Sequence, residues 1–484
     1  MQITLSLNKE SQASLQNQIV NQIAQLIECG MLPPGARLPS IREISREYRI
    51  AKNTAVSAYQ RLESEGWIIV RQASGAWVSE EYPRLKPKSS FINSDAKKRH
   101  RSEMPPLVRT FEYPRLYSSG QYPLDFRLGQ TAPGLFPLES WQHWAGILLH
   151  HSASSLSGYI DPRGLPELRS EIVKHVRITR GISADICDVI IVQGIQEALS
   201  ITALLMVDDQ SKVLVESPGF RGAQNVFKAF GAQIDYLPVD HNGVDPSYIP
   251  SGTYRFLHVT PSHQFPLGVT LTAERRASLL EWAYKSDSYI LENDYDADYR
   301  YLDCPLPAIA SKGRDRVIYV GTFSKCFGPG LRLGYMICPP SLSPFVGKAK
   351  AVMNNGCSWL EQAVVSRFMQ SGEFISHLRS IRRYYKVLCD ELVSKLMAYG
   401  GKVIGEGGGT HVCWELPSWA PSASDVAIKL STYGIKVYVA NETAVSGLPQ
   451  PKLDNLLFLG FGSVSVEDIN QLDKAISQIL MPHR

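Results

Sequence analysis

The sequence predicts a large α/β domain built on a mostly parallel sheet, preceded by a small winged helix-turn-helix domain. Three observations carry this prediction. After residue 125, five short apolar runs alternate with helical segments, which is typical of a parallel sheet covered by helices on both faces. Residues 11–80 show a helical pattern closed by a hairpin. Residues 81–124 are rich in Pro, Ser, Lys and Arg without periodicity, so they are predicted to form a basic linker.

Length and composition exclude several classes of protein. The chain has 484 residues, of which 44% are hydrophobic and 20% charged, so it is neither fibrous nor intrinsically disordered. No run of about 18 apolar residues is present, so no membrane-spanning helix is expected. The N-terminus lacks the basic and apolar segments of a secretory signal. The eight cysteines are widely spaced without a CxxC pair, which indicates free thiols, no metal site and a cytoplasmic location.

The N-terminal pattern predicts three helices and a β-hairpin. Apolar residues recur at helical spacing over 15–27. Ser40 and Glu43 have the spacing of a capping box, which predicts a short helix after Ser40. A further helix is expected over 52–65. The alternation on both sides of a Ser-Gly turn predicts a hairpin over 67–79.

Helix, tight turn, helix and basic hairpin together form the plan of a winged helix-turn-helix DNA-binding domain. We expect Val56, Tyr59 and Leu62 to face its core, leaving polar side chains for phosphates and base edges. The candidate DNA-binding residues are Arg42, Arg46, Lys52, Asn53, Thr54, Ser57, Arg61, Arg71 and Gln72. The alternative is a helical docking domain, which the net charge of +1 over 1–80 favours, whereas the net +5 of the linker favours nucleic acid. The run KKRHR in that linker is interpreted as a solvated tether.

Residues 33–68, PPGARLPSIREISREYRIAKNTAVSAYQRLESEGWI, resemble the DNA-binding domain of the GntR family. The family pattern is PPG-x-x-LPS-x-R followed by N-T-x-x-x-A-Y-x-x-L-x-x-x-G, and both parts are present. The resemblance implies binding to a double-stranded DNA operator. The family often has Ser-Arg where this chain has Ala51-Lys52. Because lysine lacks the bidentate fork of arginine, the usual operator sequence of the family cannot be carried over.

The strongest chemical signal of the C-terminal domain is VGTFSKCFGPGLRLGY at 320–335. Lys325 follows an apolar strand in a turn of small residues, and a lysine buried there loses its charge readily, as Schiff-base chemistry requires. Thr322, Ser324 and Arg332 add two hydroxyls and a cation, a set suited to a phosphate. The alternative is an exposed lysine in a glycine-rich loop, with Arg332 paired to an acid.

Two other strand ends offer groups for the same ligand. Gly194, Ile195 and Gln196 open a helix after the strand VIIV, where backbone N–H groups can bind a phosphate. Phe220, which follows Ser-Pro-Gly, is placed to stack on a ring. Taken singly, Gly194 is explained by a turn and Phe220 by the core.

The strand YILE ends in Asn293, Asp294 and Tyr295, at the edge where ligands bind in open α/β sheets. An acid there holds a pyridine nitrogen protonated, and a tyrosine bonds a ring hydroxyl. Asp294 alone is explained as a capping acid. In their order along an α/β chain, these groups jointly indicate pyridoxal 5′-phosphate (PLP) as cofactor.

Residues 125–484 resemble a fold-type I aminotransferase of class I/II, and the whole arrangement is similar to the MocR/GabR family of bacterial transcription regulators. The characteristic strings are GYIDPRGLPELR, VTPSHQFPLG, ENDYDADYRY and GTFSKCFGPGLRLGY. The resemblance implies that Lys325 forms the internal aldimine and that Arg332 binds the cofactor phosphate. It also implies that Tyr295 contacts the ring hydroxyl, that Phe220 takes the stacking position, and that the protein is a domain-swapped homodimer.

Three departures from the family pattern bear on activity. The family usually has two acids before the tyrosine, the first commonly paired with the pyridine nitrogen. Here Asn293 precedes Asp294, so either Asp294 takes that role or the ring is less protonated. Phe265 replaces the asparagine of Asn-Pro-x-Gly found in aminotransferases, as in the regulators. Phe458 replaces the arginine that binds a substrate carboxylate, so a carboxylate effector needs another cation, such as Arg221.

The preferred interpretation is a PLP-dependent transcription regulator that senses an amine, an amino acid or a PLP vitamer through the Lys325 aldimine. An active aminotransferase with an appended DNA-binding domain is the alternative, against which Asn293, Phe265 and Phe458 argue. A residual transaminase half-reaction is compatible with the preferred interpretation. A third hypothesis is a GntR-type repressor whose C-terminal domain is a dimerisation scaffold without cofactor. The sequence identifies neither the effector, nor the operator, nor the direction of regulation.

Overall fold

The chain folds into two compact units, Met1–Glu103 and Met104–Arg484. The computed structural model describes residues 3, 5–8, 13–28, 30–71, 75–80, 122–296, 298–301, 306–440 and 453–480. Gln72 and most of the linker predicted at 81–124 lie outside these residues. Among the helices so described, none is both long and apolar enough to span a membrane.

Three helices and a hairpin form the first unit, as predicted. The elements are α1 (Leu15–Glu28), α2 (Ile41–Glu47), α3 (Lys52–Ser64), β1 (Ile68–Arg71) and β2 (Gly75–Val78). The capping box is present, because the Ser40 hydroxyl accepts from the Glu43 amide while the Glu43 carboxylate accepts from the Ser40 amide. The two strands pair antiparallel, with Ile68 opposite Val78.

The core face of α3 differs from the prediction in one residue. Val56 is only half-buried, whereas Ala55, Ala58, Tyr59 and Leu62 are buried. These four follow the i, i+3, i+4, i+7 spacing of a single helix face, and Val56 lies at the margin of that stripe. Tyr59 also donates its hydroxyl to the carbonyl of Pro39.

The second unit contains eleven helices and fourteen strands among its described residues. The helices are α4 (Leu138–Ser152), α5 (Pro166–Arg180), α6 (Ile195–Met206), α7 (Arg221–Ala229), α8 (Ala273–Lys285), α9 (Ser324–Phe327), α10 (Ser343–Asn354), α11 (Trp359–Gln370), α12 (Glu373–Ala398), α13 (Ala423–Thr432) and α14 (Val466–Leu480). The strands are β3 (Leu124–Asp125), β4 (Val189–Val192), β5 (Lys212–Ser217), β6 (Gln233–Asp240), β7 (Gly243–Val244), β8 (Phe256–Val259), β9 (Tyr289–Asn293), β10 (Val317–Thr322), β11 (Gly334–Ile337), β12 (Lys402–Ile404), β13 (His411–Glu415), β14 (Ile435–Lys436), β15 (Tyr438–Val439) and β16 (Leu456–Gly460).

The large sheet has the strand order β4-β11-β10-β9-β8-β5-β6-β7. The five strands from β10 to β6 are parallel, and β11 runs antiparallel to both neighbours. All five apolar runs found in the sequence are strands of this sheet. Alternate residues feed two separate cores, with Leu214 in one and Val215 in the other. The predicted mostly parallel sheet with both faces covered is therefore confirmed.

A second sheet, β12-β13-β16-β15, is antiparallel and was not predicted. Its central strands β13 and β16 are buried on both faces almost throughout, so they carry no period-2 alternation. Phe458 lies opposite Cys413 in this sheet and belongs to its core.

The loops that follow β4 and β10 meet at one edge of the large sheet because both strands pair with β11. Gly334 at the start of β11 lies opposite Thr322 on one side and Val192 on the other. A Cβ on Gly334 would lie 2.9 Å from the Gly321 carbonyl oxygen and 3.2 Å from the Gly194 Cα. Glycine thus permits a close approach that joins the two loops.

Candidate functional site

Lys325 lies at this edge of the sheet, in the single-turn helix α9 that follows β10. Its side chain is half-buried and donates from Nζ to the carbonyl of Gly129. Nζ lies 6.0 Å from the centroid of the Tyr295 ring. Burial lowers the pKa of Lys325, and the negative charge of Asp296 opposes that shift. A lysine with a lowered pKa supplies more of the neutral amine, which is the form that reacts with an aldehyde.

Arg332 and the N-terminus of α6 form a corner suited to an anion. A Cβ on Gly194 would lie 3.6 Å from the Arg332 guanidinium, which donates to the Gln193 carbonyl at 2.8 Å. Gly194 has a φ of 87°, a conformation that favours glycine. Ile195 and Gln196 then begin a helix of 12 residues, whose first backbone N–H groups have no partners within the helix. A cation and several amide donors thus lie side by side.

Two hydroxyl groups lie next to this corner on the β10 side. Thr322 and Ser324 are hydrogen-bonded to each other through their side chains at 3.0 Å. The Thr322 hydroxyl also lies 3.4 Å from the carbonyl oxygen of Leu333, the residue after Arg332. The structure therefore brings Thr322, Ser324 and Arg332 together beside the start of α6.

Two phenylalanines form an apolar wall near the corner. Phe220 lies immediately before α7, with its ring centroid 5.7 Å from that of Phe265. Phe265 in turn lies 6.2 Å from the Tyr295 ring. The amide of Gln196 donates to the Gly222 carbonyl at 3.3 Å, which ties the start of α6 to the Phe220 loop. In the described part of the chain, the buried hydroxyl of Tyr295 has no hydrogen-bond partner.

Asn293 lies on the face of the large sheet that carries Phe220. Its Nδ2 is 3.4 Å from Nε2 of His258, and His258 packs edge-on against Phe227. Phe227 and Phe220 belong to the same apolar cluster. Burial lowers the pKa of His258 to about 3, so its imidazole is neutral. Asn293 Oδ1 is buried and, among the described residues, has no hydrogen-bond partner.

Asp294 points to the opposite face. Its Oδ2 accepts from the Tyr319 hydroxyl at 2.8 Å and lies 3.2 Å from Nε of Arg180. Both the carboxylate and the guanidinium are almost completely buried. The carboxylate is thus held by a cation on the side of the sheet away from Phe220.

Three polar residues that sequence reasoning missed lie close to Lys325. His263, Asp296 and His411 are buried, and their nitrogen and oxygen atoms lie within 4.8 Å of one another. His263 and Asp296 stand in the strings VTPSHQFPLG and ENDYDADYRY, which was the available signal for them. His411 begins β13, far along the chain, and nothing in the sequence connects it to the other two.

The candidate DNA-binding residues of the first unit are mostly exposed. Six of the nine side chains are exposed, namely Arg42, Arg46, Lys52, Asn53, Arg61 and Arg71. Two are half-buried, Thr54 and Ser57, and Gln72 lies outside the described residues. Arg61 bonds to Glu65 at 2.7 Å and donates to the Asn17 side chain, so it has partners within the domain. Arg37, which was not predicted, is exposed and lies over the Trp77 ring at 5.7 Å, next to Arg71 at 5.8 Å.

The comparisons with known proteins assign both units. Residues 15–78 match the bacterial regulatory proteins of the gntR family, and residues 125–450 match the aminotransferases of class I and II. Kynurenine aminotransferase from Pyrococcus horikoshii, solved with PMP, superimposes with a TM-score of 0.67. It is 24% identical and covers 82% of this chain and 99% of its own, so it shows the fold.

Two curated relatives match this chain over most of its length. The HTH-type transcriptional regulator YhdI of Bacillus subtilis is 29% identical over 97% of this chain and 96% of its own length. The probable rhizopine catabolism regulatory protein MocR of Rhizobium meliloti is 32% identical over 79% of this chain and 77% of its own. The chain therefore belongs to the MocR family of transcription regulators, in which a gntR-type DNA-binding domain is joined to a class I and II aminotransferase domain.

Proposed function

We propose that this protein regulates transcription in response to a small amine, which it detects through PLP held by Lys325. In this proposal residues 11–80 bind operator DNA, 81–124 are the linker and 125–484 form the effector domain. The observation that carries the proposal is the half-buried Lys325 amine at the same sheet edge as the corner formed by Arg332 and the start of α6.

The residues at this edge fit PLP group by group. Arg332, the first amides of α6 and the Thr322 and Ser324 hydroxyls match a phosphate. Phe220 offers a face for the ring. The Tyr295 hydroxyl, which has no partner among the described residues, matches the ring oxygen. When bound, PLP supplies an aldehyde carbon open to amines and a ring that withdraws electrons.

The chain's own groups then have distinct tasks. Lys325 would bind the cofactor through its amine, and an effector amine would compete with that amine for the aldehyde carbon. Arg332 would neutralise the charge of the phosphate. The Tyr295 hydroxyl would donate a hydrogen bond to the ring oxygen. Phe265 excludes water from the ring edge, where aminotransferases have an asparagine. The proposal leaves open whether the effector is an amine, an amino acid or a PLP vitamer.

The environment of the ring nitrogen supports a sensor over an enzyme. On the face of the large sheet that carries Phe220, the last residue of β9 is Asn293, whose amide contacts the neutral imidazole of His258. Asp294 is held by Arg180 on the other face. Without a carboxylate to hold its pyridine nitrogen protonated, bound PLP would withdraw electrons less strongly, which would slow transamination. An active aminotransferase remains the second candidate, favoured by the complete set of Lys325, Tyr295 and Arg332.

A homodimer with exchanged DNA-binding domains is part of the proposal, supported by the family to which the chain belongs. An effector changes operator binding only if it binds the two states of the dimer with different affinities. Lys325 is placed to bias such states, because α9 is linked to the long helix α12. The ring of His377 bonds to the Cys326 carbonyl at 2.8 Å, and Phe327 stacks on Phe374.

Cofactor uptake by the full-length protein tests the proposal. We expect wild type to acquire the near-visible absorbance of lysine-bound PLP and Lys325→Ala to lack it. Arg332→Ala should lower PLP affinity about 10- to 100-fold, because a charge-assisted bond to the phosphate is lost. Arg367→Ala, on the exposed face of α11, is the matched control and should bind PLP normally. Wild type that takes up no PLP would make the C-terminal domain a scaffold.

A further inference from the structure

His263, Asp296 and His411 form a buried polar cluster, which the proposed function does not use. They lie after β8, after β9 and at the start of β13, and they are 5%, 3% and 0% exposed. In the described part of the molecule, Nε2 of His263, both ring nitrogens of His411 and both carboxylate oxygens of Asp296 have no hydrogen-bond partner. The backbone of Thr410 lies near enough to Asp296 to lower its pKa. Because folded proteins rarely leave buried polar atoms unpaired, the cluster can accept a further partner, which is a ligand or water.

The cluster lies next to the reactive amine and opens into a cavity. The His411 ring is 5.8 Å from that of Phe265, the side chain that borders Tyr295. The charge of Lys325 acts on both Asp296 and His411. His263 and Asp296 line a cavity of about 260 Å³, together with Arg300 and the glycine-rich segment 405–409. Two of the three cluster residues line this cavity, so a ligand that contacts the cluster has room on that side.

Charge determines what the cluster can bind. Burial lowers the pKa of His263 to about 4 and that of His411 well below its usual value, so both imidazoles are neutral at pH 7. Burial raises the pKa of Asp296 to about 6, against the nearby charge of Lys325, so most of the carboxylate is ionised at pH 7. One negative charge and two imidazole acceptors match a hydrogen-bond donor.

A carboxylate or a metal ion fits this set less well. Asp296 repels a carboxylate. Phe458, at the position where aminotransferases have a carboxylate-binding arginine, is buried in the core. Two imidazoles and one carboxylate are a possible zinc donor set. However, Lys325 and Arg300 place two cations close to the cluster, as their effects on the pKa values of His411 and His263 show. Both charges would repel a divalent ion, whereas they would repel a single ammonium half as strongly and a neutral hydroxyl not at all.

We infer that His263, Asp296 and His411 bind a second polar group of the effector, and that this group is an ammonium or a hydroxyl. The effector class is thus a short primary amine that carries a further amine or alcohol, and lacks a carboxylate at that position. This inference rests on the proposed function, in which the primary amine reacts at Lys325.

The test uses the PLP-loaded full-length protein and four probes of similar length: 1,3-diaminopropane, 3-amino-1-propanol, propylamine and β-alanine. The readouts are the absorbance of the bound cofactor and the affinity for operator DNA. We expect the diamine or the amino alcohol to act at about tenfold lower concentration than propylamine, and β-alanine to act less well than propylamine.

Asp296→Asn should abolish the advantage of the diamine or amino alcohol over propylamine, while the response to propylamine is retained. His411→Gln should act in the same direction, and Asp390→Asn on the exposed side of α12 should change nothing.

The contrary outcomes are separable. Equal potency of all amines in wild type, an unchanged advantage in both cluster variants, or a preference for β-alanine would each overturn the inference alone. Stoichiometric zinc retained by wild type and lost in Asp296→Asn would reassign the cluster as a metal site and overturn it as well. Wild type that shows no cofactor absorbance would overturn the proposed function together with the inference.

Discussion

The Nζ of Lys325 donates a hydrogen bond to the carbonyl oxygen of Gly129. Gly129 lies just after the predicted linker of residues 81–124. That segment is fixed by hydrogen bonds from the Phe126 amide to Lys436 and from the Gly460 amide to Phe126. The lysine that would carry the cofactor is therefore bonded to the part of the chain that leads to the DNA-binding domain. In the proposed function, breaking that bond gives a route from effector binding to the linker.

Gly129→Ala tests this route. Gly129 has a φ of 79°, and a Cβ on it would lie 3.1 Å from Nζ of Lys325. We expect the variant to lose about 1 kcal/mol of unfolding free energy through backbone strain. It should also displace the lysine amine and weaken the effect of an effector on operator affinity. Operator titrations with and without effector check this, and Gly134→Ala, where a Cβ meets open space, is the control. A full effector response in Gly129→Ala would contradict the route.

Asn293→Asp tests the proposal that the domain senses an amine without turning it over. In the proposed site a carboxylate at this position would face the ring nitrogen and should raise its pKa, since opposite charges favour the protonated form. We expect the pH at which the cofactor absorbance changes to move upward, and the half-reaction with amino donors to accelerate about tenfold or more. Spectra recorded between pH 5 and 10 give the first result, and single-turnover kinetics give the second. Unchanged spectra would show that Asn293 does not contact the ring.

Arg42→Ala, Asn53→Ala and Thr54→Ala test the DNA-binding surface. Each should weaken operator binding by about 1 kcal/mol or more, with PLP uptake unchanged. Arg42→Ala should in addition reduce the dependence of affinity on salt, because a phosphate contact is lost. Arg61→Ala should have a smaller effect, since Arg61 bonds to Glu65 and Asn17. Operator affinity unaltered in the first three variants would place the DNA on another face.

Glu216 predicts a pH dependence of stability. Burial raises its pKa to about 7, although its carboxylate accepts from the Thr260 amide and hydroxyl. Because the folded-state pKa lies above the unfolded value, ionisation opposes folding, and stability falls as pH rises from about 4.5 to 7. The shift corresponds to about 3 kcal/mol at pH 8. Glu216→Gln should remove much of this loss in urea unfolding at pH 5 and pH 8. An equal loss in both proteins would show that other groups cause it.

The large sheet and the winged domain were predictable because their signals are local. Each parallel strand is a short apolar run, and the Ser40–Glu43 box lies within one turn of helix. The sheet face of a residue is not local, since it depends on how neighbouring strands pair. Thus the sequence left open whether Asn293 or Asp294 faces the ring. The pairing of β9 with β8 and β10 places the two side chains on opposite faces of the sheet.

Contacts between distant segments also escaped prediction. The ring of His411 contacts that of His263 only because β13 approaches the loop after β8. Likewise, one hydrogen bond from Arg61 to Asn17 joins α3 to α1. Neither distance along the chain nor residue type indicates such contacts. In each case tertiary packing determines whether a polar side chain has a partner within the protein or remains available for a ligand.

Operator binding by Lys325→Ala in the presence of an effector amine tests the central claim most directly. Fluorescence anisotropy of a labelled operator, recorded together with cofactor absorbance, follows both sites in one titration. The account predicts that wild type changes both signals in parallel. It predicts that Lys325→Ala binds the operator without any response to the amine. An effector response in Lys325→Ala equal to that of wild type would contradict it.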